Sequence, residues 1–264
     1  MTKIHPSSIV DPKAELAEDV EIGPFCTVGP QVRIGAGTRL ISHNVIDGDT
    51  VLGAGNTLYP FASLGLPCQH KRNKATDLKL VIGDDNVFRE HFTAHTGSDV
   101  DKKITVIGSR NWFLVGSHVA HDCVVGDDVV MSNGAGLAGH VVVENRAIIS
   151  AMAGVVQFAR IGEGAMVGAM CGIPKDVIPF GIVMKDGLAG LNLVGLQRAG
   201  VDKALVMELQ KAFKDLFLSE EGVFTERLEK LAASGTQNPL IQKVITFCQN
   251  PSRNGILHPE RKTK

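Results

Sequence analysis

Every sixth residue from Val10 is aliphatic: Leu16, Ile22, Val28, Ile34, Leu40, Ile46, Leu52, Leu58 and Leu64 follow without a miss. A period of six matches neither the 3.6 of an α-helix nor the alternation of a hairpin strand, so the chain reads as a repeat architecture. The frame resumes at Ile82, Phe88 and Ala94, breaks in the polar segment 97–105, and restarts shifted by one residue at Ile107. From there it runs through Phe113, Val119, Val125, Met131, Leu137, Val143, Ile149, Val155, Ile161, Val167 and Ile173. Four residues after these positions the side chain is usually small, as at Cys26, Ala62, Cys123, Ala135, Ala153 and Cys171.

Three short strands per 18-residue coil satisfy this period. Each coil points one aliphatic side chain inward from each wall of a triangular prism, and stacked coils hydrogen-bond about 4.8 Å apart. An aromatic content of only 5% suits such a core, which is filled by aliphatic side chains of repeating size. Beyond Ile173 the repeat stops near Pro174 and Pro179, and Leu205, Leu209, Ala212, Phe213 and Leu216 recur at helical spacing after an Asp202 cap. Further helices are predicted around 225–233 and 240–248, and the tail 250–264 reads as frayed. The expected organisation is an all-β parallel prism over 1–190 followed by a small α-helical domain over 191–264.

A formal net charge of −1 gives no global basic field to attract nucleic acid or an anionic membrane surface. The N-terminus lacks a signal-like apolar run, and no apolar stretch of about eighteen residues occurs. The reading is a cytoplasmic protein with no nucleic-acid partner and no stable membrane insertion. Cys26, Cys68, Cys123 and Cys171 fall at the small, inward fifth place of their hexads, so Cys123 reads as packing and not as a nucleophile.

Residues 18 apart lie one above another on the prism. One column therefore reads His121, Gly139, Gln157, and its neighbour Asp122, His140, Phe158. His121 is third in its hexad, so its ring should face out of the prism, where a substrate could reach it. Taken alone, this geometry fits solvated surface histidines at His118 and His121 equally well.

The blocks Ser117-His-Val-Ala-His-Asp-Cys123, Leu137-Ala-Gly-His140 and Val156-Gln-Phe158 resemble those of the UDP-N-acetylglucosamine 3-O-acyltransferases, hexapeptide-repeat enzymes that open lipid A synthesis. Ile22-Gly-Pro-Phe-Cys26, Phe61-Ala-Ser63 and Asn192-Leu-Val-Gly-Leu-Gln-Arg198 extend the similarity over nearly the whole chain. The resemblance implies a left-handed prism, a homotrimer with sites between subunits, and transfer of a 3-hydroxyacyl chain from the phosphopantetheine of acyl carrier protein to a UDP-amino sugar. It implies no other cofactor and no metal. It assigns His121 as general base, an imidazole being able to take a proton near neutral pH. Asp122 would orient it, and the Gly139 N–H would stabilise the thioester oxyanion. His118, His140, Gln157 and Gln69 match substrate contacts, as does His95 more loosely, while Asn192 and Arg198 match contacts to the uridine diphosphate. Ala169 and Met170 fall where the family sets chain length, which points to an acyl chain shorter than fourteen carbons.

The sequence departs from the family pattern at His70, where many members have Asp, and at Val156, Val194 and Ala199. His70 is retained as a substrate contact, but these departures leave open a 3-amino sugar acceptor and hence an amide product. Two rival readings use the same prism: a zinc enzyme needing three histidines around an open metal position, and a non-catalytic scaffold.

Overall fold

Almost every hexad supplies a two-residue strand whose second residue points inward, as in Glu21–Ile22, Thr27–Val28 and Arg33–Ile34. The computed structural model describes residues 1–185 and 187–260. Among these residues the strands stack in sequence order into three walls of eleven, nine and eight strands, parallel except for the antiparallel pairing that ends the first. Wall one carries Ile22, Leu40 and Leu58, wall two Val28, Ile46 and Leu64, and wall three Leu16, Ile34 and Leu52. These inward side chains are almost completely buried except Leu16 in the first coil, which is half-buried. Burial of each such aliphatic side chain stabilises the fold by about 1.5–3 kcal/mol, so the repeated position carries the core.

Each coil turns through residues with φ near +60°. Such a conformation costs a residue with a Cβ roughly 1–2 kcal/mol. Bulky residues nevertheless hold it here, among them Phe25 (φ 58°), Asp122 (59°), His140 (64°) and Phe158 (68°). Ring contacts from coil to coil, through Phe25, His43, Phe61 and His91 and between His140 and Phe158, offset part of that cost. Inside another corner, Asn56, Asn86 and Asn111 form a buried ladder in which the Asn86 side-chain amide donates to Asn56 Oδ1 at 3.0 Å.

The regular stack is interrupted twice. Leu64 pairs with Ala94 instead of residue 82, and Ala94 pairs with Val119 instead of residue 112. The extra residues form two excursions, 67–78 and 96–103, both leaving the prism between wall two and wall three. Cys68 is buried in the first excursion, not in the prism core as its hexad place suggests.

The repeat also outlasts Ile173, because Gly181–Met184 adds one more parallel strand to wall one. Four helices follow among the described residues: α1 (Leu193–Arg198), α2 (Lys203–Phe213), α3 (Phe224–Ala233) and α4 (Pro239–Gln249), with a π-helical turn at Lys214–Leu218 continuing α2. Asp202 caps α2 by accepting from the Ala204 N–H at 2.7 Å. The tail is not frayed through residue 260: Asp176 and Ile256 form a parallel bridge, and Ile256 and Leu257 are buried. Residues 261–264 of the tail expectation lie outside the described residues. No helix among the described residues is long and apolar enough to cross a membrane.

Candidate active site

The corner between walls two and three gathers the columns read from the sequence. His140 N–H donates to His121 O at 3.0 Å and Phe158 N–H to Gly139 O at 3.2 Å, one coil to the next. A Cβ on Gly139 would lie 2.4 Å from the His121 ring, so only glycine lets that imidazole lie flat over the coil below.

His121 faces out of the prism, yet it is only 5% exposed. The outward ring is shielded from bulk solvent because the two excursions fold over this corner, and it still lines a groove there. They interlock with each other: Asp99 N–H donates to Asn73 Oδ1 at 3.0 Å and Lys74 N–H to Asp99 Oδ2 at 2.9 Å. The His70 ring lies edge-on to His121 with centroids 5.7 Å apart.

Under this cover a hydrogen-bonded chain runs into His121. The Ser98 hydroxyl donates to Asp122 Oδ2 at 2.5 Å, and the Ser98 N–H lies 3.1 Å from both carboxylate oxygens. His121 Nδ1 lies 2.8 Å from Asp122 Oδ2. Burial pushes the Asp122 carboxyl up, but the hydrogen bonds from Ser98 and His121 outweigh it and hold the group below the usual carboxylate range. An ionised Asp122 accepts only, so Nδ1 carries the proton and the His121 Nε2 lone pair is left free.

The surrounding histidines are held as firmly. His140 stacks on Phe158 (centroids 4.3 Å), meets His121 edge-on (5.1 Å), and bonds Asp101 Oδ2 through Nδ1 at 2.9 Å. His118 Nδ1 shares a 2.8 Å bond with Thr93 Oγ1, and burial followed by the neighbouring His95 pushes its imidazole down to about 4. His95 donates from Nδ1 to Pro67 O at 3.0 Å, and burial lowers its proton affinity too. Burial pushes the Cys123 thiol up to about 12. That thiol is fully buried and donates to Ala138 O at 3.1 Å, which suits packing.

A groove of ≈ 810 Å³ opens at this corner, and Gln69, His70, His118, His121, Gly139 and Gln157 all line it. Bare backbone lines it at Gly136 and Gly154. The outward positions of wall two below His118 are Gly136, Gly154 and Gly172, and a Cβ on any of these three would meet nothing within 4 Å. Ala169 and Met170 stand at the far edge of the same wall, in the coil of Gly172, exposed and outside the lining of the groove.

Asn192 and Arg198 are not brought to this groove. They line a separate cavity of ≈ 600 Å³ against wall one, beside Arg146, Ile148 and Met166. Asn192 caps α1 by accepting from Gly195 N–H at 3.0 Å, and donates to Gly164 O at 3.0 Å. Its side chain is therefore engaged within the chain, while Arg198 is exposed.

His121, Asp122 and His140 offer donor atoms within 4.8 Å of one another, the geometry of a small metal site. Asp122 already serves Ser98 and His121, while His140 turns Nε2 towards Asp122 Oδ2 at 3.8 Å and serves Asp101 through Nδ1. His118, which a three-histidine zinc site would recruit, is turned to Thr93 instead.

Comparison with known proteins adds an independent line. A family described as Udp N-acetylglucosamine O-acyltransferase, domain 2, matches residues 176–257. The acyl-[acyl-carrier-protein]–UDP-N-acetylglucosamine O-acyltransferase of Caulobacter vibrioides is 45% identical over 98% of both chains. That of Thermodesulfovibrio yellowstonii is 45% identical over 96% of this chain and 98% of its own. Among solved structures, the UDP-N-acetylglucosamine O-acyltransferase of Moraxella catarrhalis superposes with a TM-score of 0.92 at 38% identity, covering 97% of this chain and 99% of that one. The left-handed parallel β-helix expected from the resemblance is the fold of this chain.

Proposed function

Because the chain belongs to the acyl-[acyl-carrier-protein]–UDP-N-acetylglucosamine O-acyltransferases, we propose that it moves a 3-hydroxyacyl chain from acyl carrier protein to the 3-hydroxyl of UDP-N-acetylglucosamine in the cytoplasm. The observation that carries the reading is the Ser98–Asp122–His121 chain ending on a free Nε2 beside a glycine-floored groove. Nε2 takes the proton of the sugar hydroxyl as its oxygen attacks the thioester carbonyl, and Asp122 balances the imidazolium that forms. The Gly139 N–H serves the oxyanion. Collapse of the tetrahedral intermediate breaks the C–S bond, and the departing thiolate takes the proton back from His121. The acyl chain lies along the bare floor past Gly136 and Gly154.

Gln69, His70, His95, His118, His140 and Gln157 hold the sugar and thioester around this corner. In a homotrimer, a neighbouring copy brings Arg198 from its wall one to the nucleotide, because one chain places Arg198 and His121 against different walls. Asn192 then acts by fixing the start of α1 and so the reach of Arg198. The chemistry needs no metal, and exhaustive chelation is expected to leave turnover intact.

The test is to mix the protein with UDP-N-acetylglucosamine or its 3-amino analogue and a series of 3-hydroxyacyl carrier proteins, and to weigh the products. An ester on the natural sugar is expected. Transfer only to the amino analogue would move the reading to N-acylation, and no transfer with any donor would overturn it.

A further inference from the structure

The tail after α4 is latched to the end of the prism by a buried carboxylate. Asp176 is fully buried and accepts from the Arg160 N–H at 2.9 Å, the Ser252 N–H at 2.7 Å and the Ser252 hydroxyl at 2.6 Å. Its own backbone joins the tail through Asp176 N–H to Gly255 O and Leu257 N–H to Asp176 O, both 2.8 Å. The buried side chains of Ile256 and Leu257 complete the anchor.

This latch presents the two residues between its points of attachment to the active corner. Asn254 donates from its side chain to Gln157 O at 2.7 Å. The Arg253 guanidinium carbon sits 3.1 Å from the centroid of Phe158, covering one face of that ring. Phe158 lies parallel to His140, with centroids 4.3 Å and planes 6° apart, and His140 meets His121 edge-on at 89°. A continuous stack thus runs from a tail cation to the imidazole assigned as the base. Both Phe158 and His140 hold a left-handed backbone conformation, which favours release of the corner unless its side chains are held.

We propose that Arg253 is a positioning residue for acyl transfer: held by the Asp176–Ser252 latch, its cation clamps Phe158 on His140 and fixes the His140 ring against His121 and Asp101. The attraction of a guanidinium for an aromatic face supplies the clamp, and lysine can supply part of it. The proposal rests on the reading that His121 and His140 serve the reaction.

The experiment compares Arg253→Ala, Arg253→Lys and His121→Ala in the full-length protein, measuring kcat, KM for both substrates, melting temperature and the ring proton resonances of His140. Stacking on Phe158 shifts those resonances upfield. Arg253→Ala is expected to lower kcat/KM about ten-fold, to move the His140 resonances towards unstacked values, and to leave the melting temperature nearly unchanged. Arg253→Lys is expected to recover most of both effects. Normal turnover with unmoved His140 resonances in Arg253→Ala would overturn the proposal. So would a higher KM for the sugar nucleotide with those resonances unmoved, since Arg253 would then bind substrate directly. If His121→Ala itself kept full turnover, the reading of the base would fail instead, and the His140 resonances would still report whether the clamp exists.

Discussion

The corner carrying Phe25, His43, Phe61 and His91 and the corner carrying Asp122, His140 and Phe158 are built alike. Both advance one coil at a time, both hold φ between 53° and 68°, and both stack rings, with centroids 5.0 Å apart for His43 and Phe61 and 4.3 Å for His140 and Phe158. They differ in cover. Phe25 and Phe61 are 59% and 49% exposed, whereas Asp122 is 1% exposed beneath the excursion that carries Ser98 and Asp101. The prism sets where a side chain stands, and the excursions set its electrostatic surroundings. Among the described residues no Asp–Ser relay serves His43 or His91 at the uncovered corner, so position alone does not fix a histidine's tautomer.

The largest effect that separates the two corners is expected from His121→Ala, which should lower acyl transfer by about two to four orders of magnitude with the melting temperature little changed. Retention of near-normal turnover would erase the distinction. Ser98→Ala sharpens the comparison by removing one hydroxyl of the cover while leaving the prism intact. By analogy with other partners that orient a reacting side chain, a loss of about 10–100-fold in kcat is expected, recovered by Ser98→Thr. An unchanged kcat would mean that the cover only excludes water.

The exposed corner ends at Met152 and Met170, 66% and 82% exposed, and there it is expected to matter only for substrate length. Ala169→Gly or Met170→Gly should relax a preference for chains shorter than fourteen carbons. Two further methylenes are worth about 1.6 kcal/mol, or roughly a ten-fold change in the ratio of rates for donors differing by two carbons. Equal rates with ten- and fourteen-carbon donors in the parent and both variants would remove these residues from that role. The smallest effect is expected from His43→Ala, a change within about 0.5 kcal/mol in stability and none in turnover. A large loss of activity there would break the contrast between the corners.

The walls were legible because the inward position repeats without regard to what the outer face does. The first excursion was not, for a physical reason: it adds two whole hexads, so Ile82 stays in phase with Leu64 while pairing with Leu52. The second shifts the phase by one residue and betrayed itself. The outward run of Gly136, Gly154 and Gly172 below His118 follows from the same 18-residue step that places Gly139 below His121. Ser98 and Asp101 carry no such signal, since their contacts depend on how an irregular segment folds back over a coil. The tail reads as frayed in sequence because its anchor, Asp176, lies far away in the chain.

The most direct test of the covered corner is nitrogen NMR of the histidine side chains in selectively labelled protein at neutral pH, with His121 assigned by the loss of its signals in His121→Gln. The expected result is a ring whose neutral form is protonated at Nδ1 and bare at Nε2, becoming a mixture of tautomers in Asp122→Ala, which removes the acceptor at Nδ1. A ring protonated at Nε2 in the parent protein would contradict it, because the lone pair needed to take the sugar proton would then point at Asp122 and away from the groove.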